Sequence, residues 1–214
     1  MLRFLIPFSV FTSCAIFLAA CNSPYKELRK AEGNLECIQQ FRPKFTTIFY
    51  EARAEAVGKE FSGILIMKKM PDSSLRIVFS TKPGIKFFDF EFLRDSGFRV
   101  LYIMKELDKE AVIKTLRKDF EVLLFLYTKP ENGYLLTNGS SNFYTFPREN
   151  GFNYYITDSA CHELLMMQRA SSRKAVADIT MMYASDSSPD SIHIMHKNVN
   201  LSITLSKMKD NGHE

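Results

Sequence analysis

Phe61-Ser62-Gly63-Ile64-Leu65-Ile66-Met67-Lys68-Lys69-Met70 runs into Pro71-Asp72-Ser73-Ser74 and leaves it as Leu75-Arg76-Ile77-Val78-Phe79-Ser80. Proline, aspartate and serine in succession are turn chemistry, and the flanking runs are rich in β-branched and aromatic residues, so the stretch predicts two strands joined by a tight turn. The same pattern extends in both directions. Upstream, Thr46–Val57 puts Ile48, Tyr50, Ala52, Ala54 and Ala56 at period two, with Gly58-Lys59 turning into a second strand over Glu60–Met70. Downstream, Lys82-Pro83-Gly84 introduces Ile85–Phe92, and Asp95-Ser96-Gly97 introduces Phe98–Met104. Consecutive strands linked by short turns describe an antiparallel meander.

The period then changes. Val112, Ile113, Leu116, Phe120, Leu123 and Leu124 match a helical template over Lys109–Phe125, with Asp108 as the expected N-cap and Asp119 as a candidate start of a second short helix. Short strands resume at Tyr134–Thr137, Asn142–Pro147, Phe152–Thr157, Glu163–Arg169, Ala175–Tyr183, Ser191–His196 and Asn200–Lys207. Asn138-Gly139, Asn150-Gly151 and Ser187-Ser188-Pro189-Asp190 supply turns. Nearer the start, Leu28, Ala31, Leu35, Ile38 and Phe41 recur at three- and four-residue intervals. They favour an amphipathic helix from Tyr25 onward that weakens at Gly33-Asn34 and ends at Pro43.

The first residues read differently. Met1-Leu2-Arg3 is a short charged start, an apolar run follows from Phe4 to Ala20, and small residues close it, the order of a secretory signal. Leu18-Ala19-Ala20-Cys21 resembles a bacterial lipoprotein lipobox, which implies that Cys21 is lipidated and becomes the first mature residue. An uncleaved anchor is less compatible, because Pro7, Ser9, Thr12 and Ser13 interrupt the run and one arginine flanks it weakly. Several acyl chains on one residue, at about 0.8 kcal/mol per buried methylene, anchor stably. By resemblance to enteric-type lipoprotein sorting, Asn22 after the cysteine implies the outer membrane. The organisation expected is a signal over 1–20, lipidated Cys21 and tether over 21–27, one domain over 28–208, and a frayed tail over 209–214.

Losing Arg3 with the signal lowers the formal charge of +4 to +3. That mild balance, with no lysine or arginine block, points away from nucleic acid. Tryptophan is absent, whereas 19 phenylalanines and nine tyrosines supply a sizeable core. With Cys14 gone and Cys21 lipidated, Cys37 and Cys161 remain, either as a disulfide worth about 4–5 kcal/mol in the chain-entropy model or as two buried thiols.

The order of elements resembles the lipoprotein carrier and receptor proteins of the bacterial envelope, LolA and LolB. Phe61-Ser62-Gly63-Ile64-Leu65-Ile66 is similar to their second-strand segment. Leu75-Arg76-Ile77-Val78-Phe79 is similar to the strand pair that follows, and Ser188–Ile194 with Leu201–Leu205 is similar to the closing hairpin. The resemblance implies a mainly β (α+β) fold: an open, strongly curved antiparallel half-barrel, its concave face covered by the N-terminal helix and the internal helical segment. Such a face is either packed solid or leaves an apolar cavity for a lipid chain. Phe88, Phe90 and Phe92 share a strand face, with Phe87 on the other, and together with Leu116 and Phe120 they are the candidate cavity lining. Asp158-Ser159-Ala160 and Asp190-Ser191-Ile192 resemble the O-glycosylation motif of Bacteroidetes.

Catalytic patterns are weak. His193 and His196, three apart on a strand, point to opposite faces and do not chelate a metal. Cys161, His162 and Glu163 are adjacent strand residues whose side chains diverge. Asp89 and Glu91 share a face and read as solvent-facing, and no P-loop or dinucleotide fingerprint occurs. The expectation is a non-enzymatic envelope lipoprotein without cofactor or metal beyond the lipid on Cys21. It contacts the membrane through that lipid and binds either a lipid or lipoprotein on its concave face or a protein partner in an envelope assembly.

Overall fold

After a short edge strand, the chain builds its sheet outward from near the centre and returns from the far side. The computed structural model describes residues 23–56, 58–184 and 188–209. After a short β1 (Arg29–Ala31), strands β2 (Thr47–Ala56), β3 (Lys59–Lys69), β4 (Leu75–Ser80), β5 (Lys86–Phe92) and β6 (Phe98–Ile103) meander to one edge. Helix α1 (Glu110–Leu123) carries the chain across. Then β7 (Tyr134–Thr137), β8 (Ser141–Arg148), β9 (Gly151–Asp158), β10 (Leu164–Ala170), β11 (Ala175–Met182), β12 (Ser191–His196) and β13 (Leu201–Lys207) meander back. The sheet order is β1-β7-β8-β9-β10-β11-β12-β13-β2-β3-β4-β5-β6. Its central seam joins β13 to β2, with Leu205 opposite Ala52, and its edges β1 and β6 stay unpaired with each other. The sheet is therefore open.

Thirteen strands at about 4.8 Å would make a flat sheet about 60 Å wide, whereas a 14-residue helix is about 21 Å long. One helix nevertheless touches β5, β9, β10 and β12: Phe120 packs on Phe88 and Phe92, Tyr155 donates to the Val122 carbonyl, and Asp119 meets Arg169 and His196. The sheet must wrap around it. Alternation assigns the faces, as in β2, where Ile48, Tyr50, Ala52 and Ala56 are buried between exposed neighbours. The inward set forms one continuous core with α1 and a 3-10 helix at Leu35–Phe41, whose Ile38 is fully buried. Gly63 sits where β3 crowds the end of β4, so an added Cβ would lie 2.0 Å from the Ser80 carbonyl oxygen.

Several expectations are corrected. The N-terminal amphipathic helix does not form: residues 29–31 are an edge strand on β7, and only 35–41 are helical, as a 3-10 turn capped by the Asn34 side chain on the Glu36 amide. Of the spaced residues only Ile38 is fully buried, while Leu28, Ala31, Leu35 and Phe41 are half-buried, so the spacing marks no single helical face. Gly33 allows the switch by lying against Leu135. Asp108 does not cap α1. Lys109 occupies that position with no side-chain bond, and the helix continues unbroken through Asp119. Phe87 does not face away from Phe88. A register shift between Phe79 and Ser80 turns it inward onto the rings of Phe61 and Phe79. The signal segment, Cys14, Cys21, Val57, Ser187 and the tail beyond residue 209 lie outside the described residues.

Candidate functional site

The concave face presents α1 to the inner sheet, and the two halves of the helix meet different surfaces. Toward its N-terminus, Val112 and Leu116 lie over Ala52, Ala54 and Ala56 of β2. Alternate alanines leave the floor low, and Phe61, Phe79 and Phe88 of the sheet line the space above it together with Phe120 of the helix itself. The result is an apolar cavity of about 30 Å³ that also touches Leu201 and Ile203 on β13. That is room for about two waters, with no polar group to hold them, so the gap is dry. It is much smaller than an acyl chain.

Toward its C-terminus the helix is fastened by polar groups. The Asp119 carboxylate is fully buried, accepts a charge-assisted bond from the Arg169 guanidinium, and lies 2.9 Å from His196 Nε2. Arg169 also donates to the Thr115 carbonyl at 3.3 Å. Glu121 is bound by Arg117 and Arg148 at 2.7 and 3.3 Å. Tyr155, fully buried, donates its hydroxyl to the Val122 carbonyl at 3.0 Å, and burial pushes that phenol far above its ordinary range. Beyond the last turn, Phe125 takes a positive φ of 54°, a conformation that costs about 1–3 kcal/mol in a bulky residue. Its ring is held against Tyr155 at 4.5 Å.

A second depression opens at one end of the concave face. It is a groove of about 490 Å³, with Phe45, Leu75, Phe92, Leu124 and Leu126 among its lining residues. Phe120, which lines the inner gap, packs on Phe92, which lines this groove, with ring centroids 6.4 Å apart.

The candidate lining thus divides. Phe88, Leu116 and Phe120 surround the gap, Phe92 faces the groove, and Phe90 lines neither. Phe90 is fully buried, packed on Phe88 and Phe98. The alanine stripe on β2 was legible as a strand face, but not as a cavity floor, because the floor exists only once α1 is laid across it.

Cys37 and Cys161 form a disulfide that ties the 3-10 helix to the β9–β10 turn, and Gln40 Nε2 donates to the Cys161 carbonyl at 2.8 Å. Cys161 is therefore no free nucleophile beside His162. His193 is exposed and His196 buried, on opposite faces as the strand period requires. Among the described residues no group of three or more metal-ligating side chains forms. Asp89 departs from the solvent-facing reading. It lies on the outer face yet is only 1 % exposed, covered by Arg76 and Lys86. Bonds from Arg76 first, then Lys86, hold its carboxyl below the usual carboxylate range. Of the two glycosylation-like motifs, Ser159 is exposed in a turn, whereas the Ser191 hydroxyl is buried.

Nor is the described end of the tether loose. Tyr25 stacks on Tyr154 at 4.9 Å, on the outer face, and its hydroxyl donates to Gln168. Cys21 itself is outside the described residues, but the chain leading from it is docked four residues later. No described helix is long and apolar enough to cross a membrane.

No protein-family model matches the sequence, and no curated protein matches it. Among solved structures it is similar to a DUF1329 family protein from Desulfovibrio piger, at 10% identity over 84% of this chain and 91% of that one, with a TM-score of 0.43. It is also similar to a domain ascribed to outer membrane lipoprotein sorting in Vibrio parahaemolyticus, at 8% identity over 84% of this chain and 93% of that one, again with a TM-score of 0.43. Likenesses this distant carry nothing about ligand or activity.

Proposed function

We propose that this chain is a lipid-anchored, non-enzymatic protein of the bacterial cell envelope that binds the acyl chain of a lipid or lipoprotein against its concave face. Lipidation at Cys21 places it on the outer membrane, facing the periplasm. The observation that carries the reading is the dry apolar gap beneath the N-terminal half of α1. That half has no side-chain cap and rests on alanines, while the other half is fastened by Asp119, Glu121 and Tyr155. Lifting the N-terminal half about its fixed end enlarges the gap, and each methylene then buried contributes about 0.8 kcal/mol. A tethered protein of this kind accepts a chain from a carrier and releases it when the membrane competes.

The small volume of the gap favours a second reading, a structural lipoprotein of an envelope assembly whose core is filled by its own side chains. Native mass spectrometry of the full chain, extracted in mild detergent, separates the two. The first reading expects lipid bound beyond the covalent anchor, with saturable uptake of a fluorescent fatty acid that Ala54→Val reduces. An empty chain that takes up no fatty acid sinks it. Replacing Cys21 with alanine is expected to release the protein from the membrane fraction, and persistence there refutes the anchor.

A further inference from the structure

The open groove at the end of the concave face has a chemistry that chain binding alone does not use. Its floor is apolar: Phe45, Leu75, Phe92, Leu124 and Leu126. Its rim carries Arg42 and Lys44 before β2, Lys69 at the end of β3, and Arg94 in the β5–β6 turn. No carboxylate among the described residues lines it. Arg42 is occupied, donating to the Phe125 carbonyl at 2.9 Å and to the Thr128 hydroxyl. Lys44, Lys69 and Arg94 are exposed and have no ion-pair partner among the described residues. Four cations from three separate segments around one apolar floor leave an uncompensated positive field, which the low-dielectric wall focuses.

We propose that this groove binds a single-chain amphiphile with an anionic phosphate head, the chain lying on the half-buried Phe45, Leu75 and Leu126 and the phosphate held by Lys44, Lys69 and Arg94. A phosphate suits rim cations that approach from several directions, because its oxygens accept bonds from each of them. The inference names the ligand class for the concave face and so rests on the lipid-binding reading above, but it uses a different site.

The test uses the full chain in neutral phosphatidylcholine nanodiscs, titrated with photoactivatable lysophosphatidylglycerol, with crosslinks mapped by mass spectrometry. Saturable crosslinking at Phe45 and Leu126 is expected, with an uncharged monoacylglycerol probe bound about tenfold more weakly. The exposed pair Lys69→Glu/Arg94→Glu is expected to lose at least about tenfold in affinity for the charged probe, with unchanged thermal stability as the check on folding. Equal binding of both probes, or binding indifferent to the double variant, overturns the phosphate site while leaving chain binding standing. Binding of neither probe overturns both. Full displacement by inorganic phosphate at the probe's own concentration reassigns the groove to a free anion and overturns the amphiphile.

Discussion

The two ends of α1 are held by different kinds of force. The N-terminal half lies over alanines with an unfilled gap and no cap, whereas the C-terminal half is pinned to the sheet by Arg169, His196, Arg148 and the Tyr155 hydroxyl. Apolar contact is non-directional and falls away gradually as surfaces part, but a buried ion pair or hydrogen bond is either made or left as an uncompensated group. One helix can therefore have a fixed end and a yielding end, and a curved sheet that touches both can keep its shape while its inside adapts.

Releasing the fixed end is the severest way to break this contrast. Asp119→Ala leaves Arg169 and His196 buried without their carboxylate and is expected to destabilise the fold by about 3–5 kcal/mol in chemical denaturation. A loss below about 1 kcal/mol would mean that the polar end does not fasten the helix. Removing the disulfide with Cys37→Ser and Cys161→Ser comes next, because it frees the 3-10 helix that leans on the same end; residual structure in the unfolded chain brings the cost below the ideal chain-entropy value, to about 2–4 kcal/mol. At the yielding end, Lys109→Asp supplies the missing cap. About 1 kcal/mol of added stability is expected, together with slower uptake of a fluorescent fatty acid in stopped flow. Faster uptake would show that the N-terminal half is not what opens.

The smallest effect comes from an outer-face ion pair used as a control. Asp89 has a depressed folded-state value, so its pairing with Arg76 stabilises the fold above the unfolded carboxylate value near about 4. That contribution is lost as pH falls through the folded value. Asp89→Asn is expected to cost about 1 kcal/mol at neutral pH and to flatten the acid limb of a stability profile, without changing fatty-acid uptake.

Strand order was largely legible because each strand carries its own evidence. Leu75–Ser80, Tyr134–Thr137 and Ser191–His196 have the predicted bounds, being short period-two runs closed by turn residues. The N-terminal helix was misread because residues 28–41 satisfy a helical spacing while burying themselves as a strand and a 3-10 turn. Phe87 was misplaced because a register shift cannot be seen in alternation. The candidate site was only partly legible. Phe88, Leu116 and Phe120 follow from the faces of β5 and α1, but the partners of Asp119 lie 50 and 77 residues away in sequence, and no local pattern marks them. The rim of Lys44, Lys69 and Arg94 is likewise assembled from three separate segments that the sequence shows only as separate surface charges.

The seam between β13 and β2 has a consequence for how the molecule comes into being. A chain that leaves the ribosome N-terminus first exposes the long edge of β2 while β3 to β12 are made, since its partner β13 follows them all. Until residues 201–207 arrive, that edge offers unpaired backbone groups beside Tyr50 and Ala52, an invitation to pair with another chain. Non-local closure of this kind is slow. Truncation before Leu201 therefore removes not a tail but the keystone, and a nascent chain of this design depends on protection until β13 is in place.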